Sequence, residues 1–253
     1  MNWKHKEWSK EDELFAPKRK VDNKQSKYIH HNIGSFHSNK MGRAVYYESL
    51  WGECLFYYIL ELDPNVIRYY EQPVQVPIFH YDKDGQLDSW IHIPDVLIFR
   101  QGEKPILAQV KVETPVEKID KVIELRCLEF CKKQDWKYQT IVTKEIPEVV
   151  KKNLMFIWNF KKERSHYSGL IPLIQEVMNK NQEVTVRALA NSINGTDYRF
   201  VIPAIYYMIS ISLLSADLSQ IIGIDSKVRQ GSIMNQLTIK GDENVVFEVG
   251  SRR

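Results

Sequence analysis

Three polar residues stand out in an apolar stretch, residues 93–114, which reads IPDVLIFRQGEKPILAQVKVET. In its second half, apolar and polar residues alternate, so Gln109 and Lys111 fall on one face of a strand. The turn QGEK at 101–104 predicts an antiparallel hairpin in which Asp95 lies opposite Gln109 to Lys111. The pattern therefore predicts an acid, an amide and an ammonium group on one side of a hairpin.

Such a group of side chains suits metal-dependent hydrolysis of a phosphodiester bond. Mg²⁺ prefers oxygen ligands, and the Asp95 carboxylate, the Gln109 amide oxygen and the Val110 backbone oxygen can supply them. Lys111 can orient the attacking water or offset charge on the phosphorus. The alternative is a solvated polar face, which antiparallel sheets often have.

A second carboxylate is expected from the segment SLWGECLFYYILEL, residues 49–62, which predicts a helix capped by Ser49. Glu48 lies at the N-terminus of this helix, where an acid complements the helix dipole. Glu53 shares a face with apolar residues and is predicted to point inward, where a carboxylate has to be liganded or neutralised. From the residues alone, both acids stay candidates.

The elements around these residues predict an α/β core. Residues 66–82 are rich in β-branched and aromatic residues and are interrupted by prolines, which indicates strand, kink, strand. An amphipathic helix over 118–136 leads to a strand over 138–143. A further helix over 148–160 follows, so the order of elements is that of an α/β fold.

The C-terminal third predicts a separate, smaller domain. A charged segment at 161–169 marks the boundary, which gives domains 1–164 and 165–253. Beyond it, three short helices precede two strand-like runs at 221–228 and 234–240, and this order indicates a winged-helix-like arrangement. The third helix is apolar and offers almost no Arg, Lys, Asn or Gln for reading DNA, which favours a protein-binding module.

The stretch YYESLWGECLFYYILELDPNVIRYYEQPVQV, followed by the Asp95 strand and AQVKV, resembles the TnsA family over about residues 30–160. This family comprises the endonuclease subunits of heteromeric cut-and-paste transposases. The resemblance implies a restriction-endonuclease-like fold of the PD-(D/E)xK type, a mixed sheet flanked by helices. The catalytic positions it implies are Glu53, Asp95, Gln109 and Lys111. The metal site would use Glu53, Asp95, Gln109 and Val110, with Mg²⁺ as cofactor and Mn²⁺ as a substitute.

The resemblance also implies partners. Such a protein cuts double-stranded DNA at the 5′ ends of a mobile element, while a DDE-type transposase with an RNase H-like active site cuts and joins the 3′ ends. An ATP-hydrolysing regulator is expected to bind the C-terminal half. Two alternatives stay open: a stand-alone restriction or repair nuclease of the same fold, and a catalytically inert DNA-binding or assembly protein.

Positive charge is concentrated at the N-terminus. Residues 1–47 hold ten Lys or Arg against five Asp or Glu, whereas the whole chain has a formal net charge of +3. The segment predicts a basic arm, and Lys24, Lys40 and Arg43 are the candidate phosphate contacts.

The amino-acid composition indicates a globular protein without a disulfide framework. Hydrophobic content of 43% and charged content of 26% indicate a globular chain. Three cysteines are too few for a disulfide framework, and the N-terminus lacks the apolar core of a signal peptide. The uncharged run that contains residues 201–216 is shorter than the ~20 residues that span a bilayer. We therefore expect no membrane segment and a bacterial cytoplasmic location, at the nucleoid when DNA is bound.

Overall fold

A computed structural model describes residues 1–19, 32–81, 84–114, 117–240 and 244–249, which form two compact units. The first unit holds Met1–Tyr57, Asn65–Lys144 and Lys240–Val246. The second holds Tyr58–Pro64, Glu145–Ile239 and the residues from Phe247 onward. The predicted boundary between 164 and 165 falls inside the second unit, and the division into domains 1–164 and 165–253 stays a prediction.

The regular elements follow one another closely along the chain. The α-helices of the described residues are α1 (Ser9–Leu14), α2 (Leu55–Leu62), α3 (Lys118–Gln134), α4 (Glu148–Trp158), α5 (Tyr167–Lys180), α6 (Val186–Asn191) and α7 (Tyr198–Ser210). The strands are β1 (Gly34–Ser38), β2 (Arg43–Tyr47), β3 (Val66–Glu71), β4 (Val76–Tyr81), β5 (Leu87–His92), β6 (Val96–Arg100), β7 (Ile106–Lys111), β8 (Lys137–Val142), β9 (Val184–Thr185), β10 (Leu214–Ala216), β11 (Lys227–Gln230), β12 (Leu237–Lys240) and β13 (Asn244–Val249). A π-helical turn (Leu50–Cys54) runs into α2, and a 3₁₀ turn (Ile233–Gln236) precedes β12.

The first unit is built on a mixed sheet. Its strands are ordered β13-β8-β7-β6-β3. β3, β6 and β7 are antiparallel neighbours, whereas β7, β8 and β13 run parallel, and α3 makes the connection from β7 to β8 that parallel neighbours require. The predicted mixed α/β sheet flanked by helices is confirmed in this unit.

Two hairpins accompany the sheet. β1 pairs with β2, and β4 pairs with β5, each as a two-stranded antiparallel sheet. The predicted strand, kink, strand over residues 66–82 is found as β3 and β4, but only β3 joins the main sheet. The register of β4 with β5 pairs Val76 with His92 at the base of the hairpin.

The described part of the N-terminal segment packs on the sheet and is not a solvated arm. The rings of Trp3 and Trp8 meet the Phe99 ring edge-on, with centroids 5.1 and 5.0 Å away, and the buried Phe15 lies 6.2 Å from it. The Lys18 backbone N–H donates to the Gln72 carbonyl at 2.9 Å. This packing brings the basic end of the segment to the end of β3.

An ion pair anchors that end of β3. The Arg43 guanidinium on β2 donates to both oxygens of the Glu71 carboxylate, at 2.5 and 2.7 Å, and the Glu71 side chain is 1% exposed. The next residue, Gln72, has φ +48° and its backbone N–H donates to the Asp95 carbonyl at 2.8 Å. The pair therefore holds the backbone against which Asp95 is placed.

The second unit contains α5, α6 and α7 together with a three-stranded antiparallel sheet in the order β10-β11-β9. The three predicted helices are found as α5, α6 and α7, but the third is shorter than its apolar run indicates: α7 ends at Ser210, and Leu214–Ala216 form β10. α7 is largely buried, as its apolar sequence indicates. No helix within the described ranges is long and apolar enough to cross a membrane.

The predicted strand over residues 221–228 is wrong, since β11 begins only at Lys227. Side chains bind the backbone before it: the Asn153 amide donates to the carbonyls of Leu218 and Gln220 and accepts from the Ile222 N–H at 3.0 Å. A backbone held in this way is not available to a strand ladder, although its isoleucines favour one.

Replacing Arg43 by alanine is expected to destabilise the protein, because it leaves the buried Glu71 carboxylate without its partner. We expect a loss of about 2 kcal/mol in the free energy of unfolding, less than for a fully buried pair because Arg43 is 36% exposed. Adding Glu71→Gln to Arg43→Ala should restore part of the loss, as measured by urea unfolding. Unchanged stability in Arg43→Ala would contradict the anchoring role.

Candidate active site

The end of the β6–β7 ladder positions Asp95. Val96 pairs with Ala108 as the final pair of the ladder, which places Asp95 across from Gln109, as the sequence predicts. The Asp95 Oδ2 atom accepts the Val110 backbone N–H at 2.6 Å and a hydrogen bond from the Gln109 Nε2 atom. The Asp95 side chain is buried, so these donors replace the water that a carboxylate otherwise binds.

The Val110 backbone oxygen lies on the same edge of β7. In an extended strand the N–H and C=O of one residue point the same way, and the Val110 N–H points toward Asp95. The pairing of β6 with β7 ends at Val96 and Ala108, so β6 does not bind the Val110 carbonyl. The predicted metal ligand at Val110 therefore faces the Asp95 carboxylate.

Glu53 is carried by the π-helical turn that precedes α2. The Cys54 N–H donates to the Ser49 carbonyl at 3.0 Å, and the Ser49 hydroxyl accepts the Gly52 N–H at 3.0 Å, so the predicted Ser49 cap is confirmed. The Thr143 hydroxyl donates to the Trp51 carbonyl at 2.7 Å, which draws one carbonyl out of the helical pattern. The α-helix predicted over 49–62 therefore begins only at Leu55. The π-helical turn before it, Leu50–Cys54, sets the direction of the Glu53 side chain.

The structure separates the two candidate acids of this segment. Glu53 is buried, and its Oε2 atom accepts the Glu48 backbone N–H at 2.8 Å. The Glu48 side chain is 27% exposed and pairs with the Arg19 guanidinium at 2.6 Å. Glu53 therefore occupies the inward position that the sequence pattern predicts.

Glu53 and Asp95 hold their protons more tightly than ordinary acids. Burial, and then the charge of Asp95, raise the pKa of Glu53 to about 8. Burial also raises the pKa of Asp95, to about 7, although the Val110 N–H and the Lys111 charge oppose the change. Two buried acids with raised pKa values are typical of a site built to receive a cation or a proton.

Lys111 and Gln109 complete the group on the same face of β7. The Lys111 ammonium is 39% exposed and lies 3.3 Å from the Asp120 carboxylate in the first turn of α3. The Gln109 carboxamide lies between two partners, with Nε2 donating to Asp95 and Oε1 placed 2.9 Å from His92 Nε2. The four predicted catalytic side chains are thus brought to one region of the first unit.

Three neighbours of this region are not evident from the sequence. His92 Nε2 lies 2.9 Å from Gln109 Oε1, and the strand that carries His92, β5, pairs with β4. Arg19 is close enough to lower the pKa values of Glu53 and Asp95 by its charge. Asp120 pairs with Lys111. His92 and Asp120 lie 17 and 9 residues from their partners along the chain, and the alternation within β7 does not predict either contact.

The predicted DNA contacts have other partners where they are described. The Lys40 ammonium donates to the Val66 carbonyl at 2.5 Å, and the Arg43 guanidinium is engaged by Glu71. Lys24 lies outside the described residues. Phosphate contact by these three residues stays a prediction.

The donor groups fit a hard divalent cation. Among the described residues, no three His, Cys, Asp or Glu side chains are gathered so that they alone could hold a metal ion. The predicted metal ligands comprise two carboxylates, Glu53 and Asp95, and two neutral oxygens, those of the Gln109 amide and the Val110 carbonyl. Two carboxylates and two neutral oxygens suit Mg²⁺, which usually keeps several waters.

Glu53→Gln is expected to stabilise the protein at alkaline pH. Between the unfolded pKa near 4.5 and the folded pKa of about 8, the folded Glu53 holds a proton that the unfolded chain releases, so wild-type stability falls as pH rises. At pH 8.5 the variant should exceed wild type by more than about 1.4 kcal/mol, the equivalent of one pKa unit, and the difference should shrink toward pH 5. Urea unfolding at both pH values measures this difference.

The exposed Glu145→Gln is the matched control and should show no such pH-dependent difference. A Glu53→Gln variant less stable than wild type at pH 8.5 would contradict the raised pKa.

Comparison with known proteins bears on this part of the chain. Residues 63–143, less than half of the chain, match the family described as TnsA-like endonuclease N terminal. The matched segment contains Asp95, Gln109 and Lys111, whereas Glu53 lies ahead of it. No match among curated proteins was found. The resemblance inferred from the sequence is confirmed over residues 63–143, which are similar to the N-terminal part of TnsA-like endonucleases.

Proposed function

We propose that the chain is a Mg²⁺-dependent DNA endonuclease and acts as one subunit of a transposase. The observation that carries the proposal is the meeting of Glu53, Asp95, Gln109 and Lys111 at the end of the β6–β7 ladder, three of them within the TnsA-like match. Buried acids beside a partly exposed lysine suit hydrolysis of a phosphodiester better than a solvated sheet face, because both acids are removed from water.

Each side chain then has a role. The Glu53 and Asp95 carboxylates, with the Gln109 and Val110 oxygens, would hold Mg²⁺, and Mn²⁺ would substitute. The bound cation supplies a Lewis acid for the phosphate and the attacking water. Lys111 presents an ammonium group from the same strand face as Gln109, where it orients the water or offsets charge on the phosphorus. The Lys111–Asp120 pair keeps this ammonium in place before DNA arrives.

The same proposal assigns the two DNA strands at each element end to different proteins. The chain would cut the 5′ ends of a mobile element in double-stranded DNA, and a DDE-type transposase would cut and join the 3′ ends. The setting would be a bacterial cytoplasm, with the protein at the nucleoid when DNA is bound. Lys24, Lys40 and Arg43 would supply contacts to phosphate, Arg43 in addition to its pairing with Glu71.

For the second unit we propose a winged-helix-like interaction domain. After α4, the elements of this unit run α5, β9, α6, α7, β10, β11, and the strands are ordered β10-β11-β9. This order supports a three-helix arrangement closed by a small sheet from residue 165 onward. α7 buries most of its side chains and so has little surface for reading DNA bases. An ATP-hydrolysing regulator is the proposed partner of this unit.

Asp95→Asn is expected to abolish cutting at the 5′ ends, and Lys111→Ala is expected to slow it. Lys111→Ala should slow the reaction roughly 100-fold or more, since it removes a group that stabilises developing charge, and Asp95→Asn should lose cutting altogether. Strand-specific mapping of cleavage at element ends, in the presence of the partner transposase, measures both. The 3′ cuts made by the partner serve as the internal reference.

Asp88→Asn and Lys133→Ala are the matched controls, because both residues are exposed and lie away from the four site residues. They should cut as wild type does. Normal 5′ cutting by Asp95→Asn would contradict the proposal. Robust cutting of plasmid DNA by the purified chain with Mg²⁺ and no partner would instead identify a stand-alone nuclease of the same fold.

Divalent-cation binding is expected to strengthen as pH rises. Glu53 and Asp95 must lose protons to bind a cation, and their pKa values are raised to about 8 and about 7. Calorimetric titration with Mn²⁺ should therefore give an affinity about tenfold or more weaker at pH 6 than at pH 8.5. Asp95→Asn should not bind, whereas Asp88→Asn should bind as wild type does. Absence of binding in the wild type at pH 8.5 would favour an inert DNA-binding or assembly protein.

A further inference from the structure

Arg19 lies at the candidate active site, although its segment is not part of the sheet. The segment packs on Phe99 through its tryptophan rings. The Lys18 backbone N–H donates to the Gln72 carbonyl at 2.9 Å, and the Gln72 N–H donates to the Asp95 carbonyl at 2.8 Å. Two backbone hydrogen bonds therefore connect the residue before Arg19 with the residue that carries the buried carboxylate.

The Arg19 side chain is held by Glu48, which also contacts the second acid. Arg19 Nη2 donates to Glu48 Oε2 at 2.6 Å, and the Glu48 backbone N–H donates to Glu53 Oε2 at 2.8 Å. The charge of Arg19 opposes the burial that raises the pKa values of Glu53 and Asp95, so the guanidinium lies near both carboxylates. Arg19 is thus tied to both segments that supply the acids.

The pair of Arg19 with Glu48 differs from the ion pair that anchors β3. Arg43 binds the buried Glu71 carboxylate through two nitrogens, whereas the partly exposed Glu48 binds Arg19 through one. A partly exposed pair of this kind contributes little to stability. A guanidinium has several N–H donors in a fixed fork, so the Arg19 side chain, which is 43% exposed, keeps donors for a second oxyanion.

Cleavage of DNA at this site would bring more than one phosphate close to the two acids. In the proposed function, the cation and Lys111 serve the phosphate that is cut. The phosphates on either side of it carry further negative charge, which DNA-binding proteins neutralise with arginine and lysine. A guanidinium beside Glu53 and Asp95 is suited to one of these neighbouring phosphates.

We propose that Arg19 binds a DNA backbone phosphate next to the one that is cut, and that Glu48 is the positioning residue for its guanidinium. The proposal rests on the proposed function, because it assumes that DNA is cut at this site. The sequence does not single out Arg19 among the basic residues of the N-terminal segment. Its contacts with Glu48 and, through Lys18, with Gln72 distinguish it.

Arg19→Gln is expected to slow 5′ cutting about tenfold or more, because a hydrogen bond between charged groups is lost. Strand-specific mapping of cleavage with the partner transposase measures the rate, and the 3′ cuts serve as the internal reference. Lys10→Gln removes the same charge from an exposed residue of α1 and is the matched control, which should cut as wild type does. Glu48→Gln keeps an oxygen that can accept from Arg19 and should cut within about threefold of wild type.

DNA with an uncharged linkage separates phosphate binding from a structural role of Arg19. In element-end DNA, the phosphates on either side of the cut are replaced one at a time by a methylphosphonate, which lacks the negative charge. Wild type should slow about tenfold or more at one of these positions, whereas Arg19→Gln should slow little further there, since the contact is already absent. At the other positions the two proteins should slow by the same factor.

Metal binding shows whether Arg19 acts on DNA or on the metal site. Arg19→Gln should bind Mn²⁺ at pH 8.5 within about threefold of wild type, because the proposed metal ligands are unchanged. Loss of Mn²⁺ binding in Arg19→Gln would overturn the inference, since Arg19 would then support the metal site.

The outcomes separate this inference from the proposed function. If wild type binds no Mn²⁺, or Asp95→Asn cuts the 5′ ends normally, the proposed function is wrong and the inference falls with it. If Asp95→Asn loses cutting while Arg19→Gln cuts as wild type does, the inference alone is overturned. An equal response of wild type and Arg19→Gln to every methylphosphonate would also overturn it alone. Loss of cutting in Glu48→Gln would overturn the positioning role of Glu48.

Discussion

The Asp95 carboxylate, buried where the β6–β7 ladder stops, is the group on which the site depends. It accepts the Val110 N–H, receives the Gln109 amide, and is tied through its own carbonyl to the Gln72 N–H at the end of β3. The register of β6 with β7 brings Asp95 to Gln109 and Val110, because Asp95 directly precedes Val96, the last β6 residue that pairs with β7. A shift of one residue in this register would turn Gln109 and Lys111 to the opposite face.

Burying two acids side by side is unfavourable unless something neutralises them. Protons can serve this purpose, and the raised pKa values of Glu53 and Asp95 express the cost of removing them. A divalent cation would replace the protons. The same burial that weakens the fold at alkaline pH therefore prepares the site for a cation, which is the usual relation between stability and function at a polar buried site.

Local sequence patterns predicted the strands that carry the site but not everything around it. Alternation and turn spacing were enough to place Asp95 opposite Gln109, and apolar periodicity was enough to turn Glu53 inward. The π-helical turn was not predictable, because the Thr143 hydroxyl that binds the Trp51 carbonyl comes from a distant segment. The contact between His92 and Gln109 also joins two separate strands. In the second unit, hydrogen bonds from Asn153 hold the backbone before β11, so the strand predicted from the isoleucines at 221–228 does not form there. Tertiary contacts decided each of these cases.

On the function proposed here, Glu53, Asp95, Gln109 and Val110 surround one cation position. Anomalous scattering from a crystal of the protein soaked in Mn²⁺ tests it most directly. We expect a peak bounded by the two carboxylates, the Gln109 amide oxygen and the Val110 carbonyl, with Lys111 on the open side. Manganese bound elsewhere in the first unit, with no peak between Glu53 and Asp95, would contradict it.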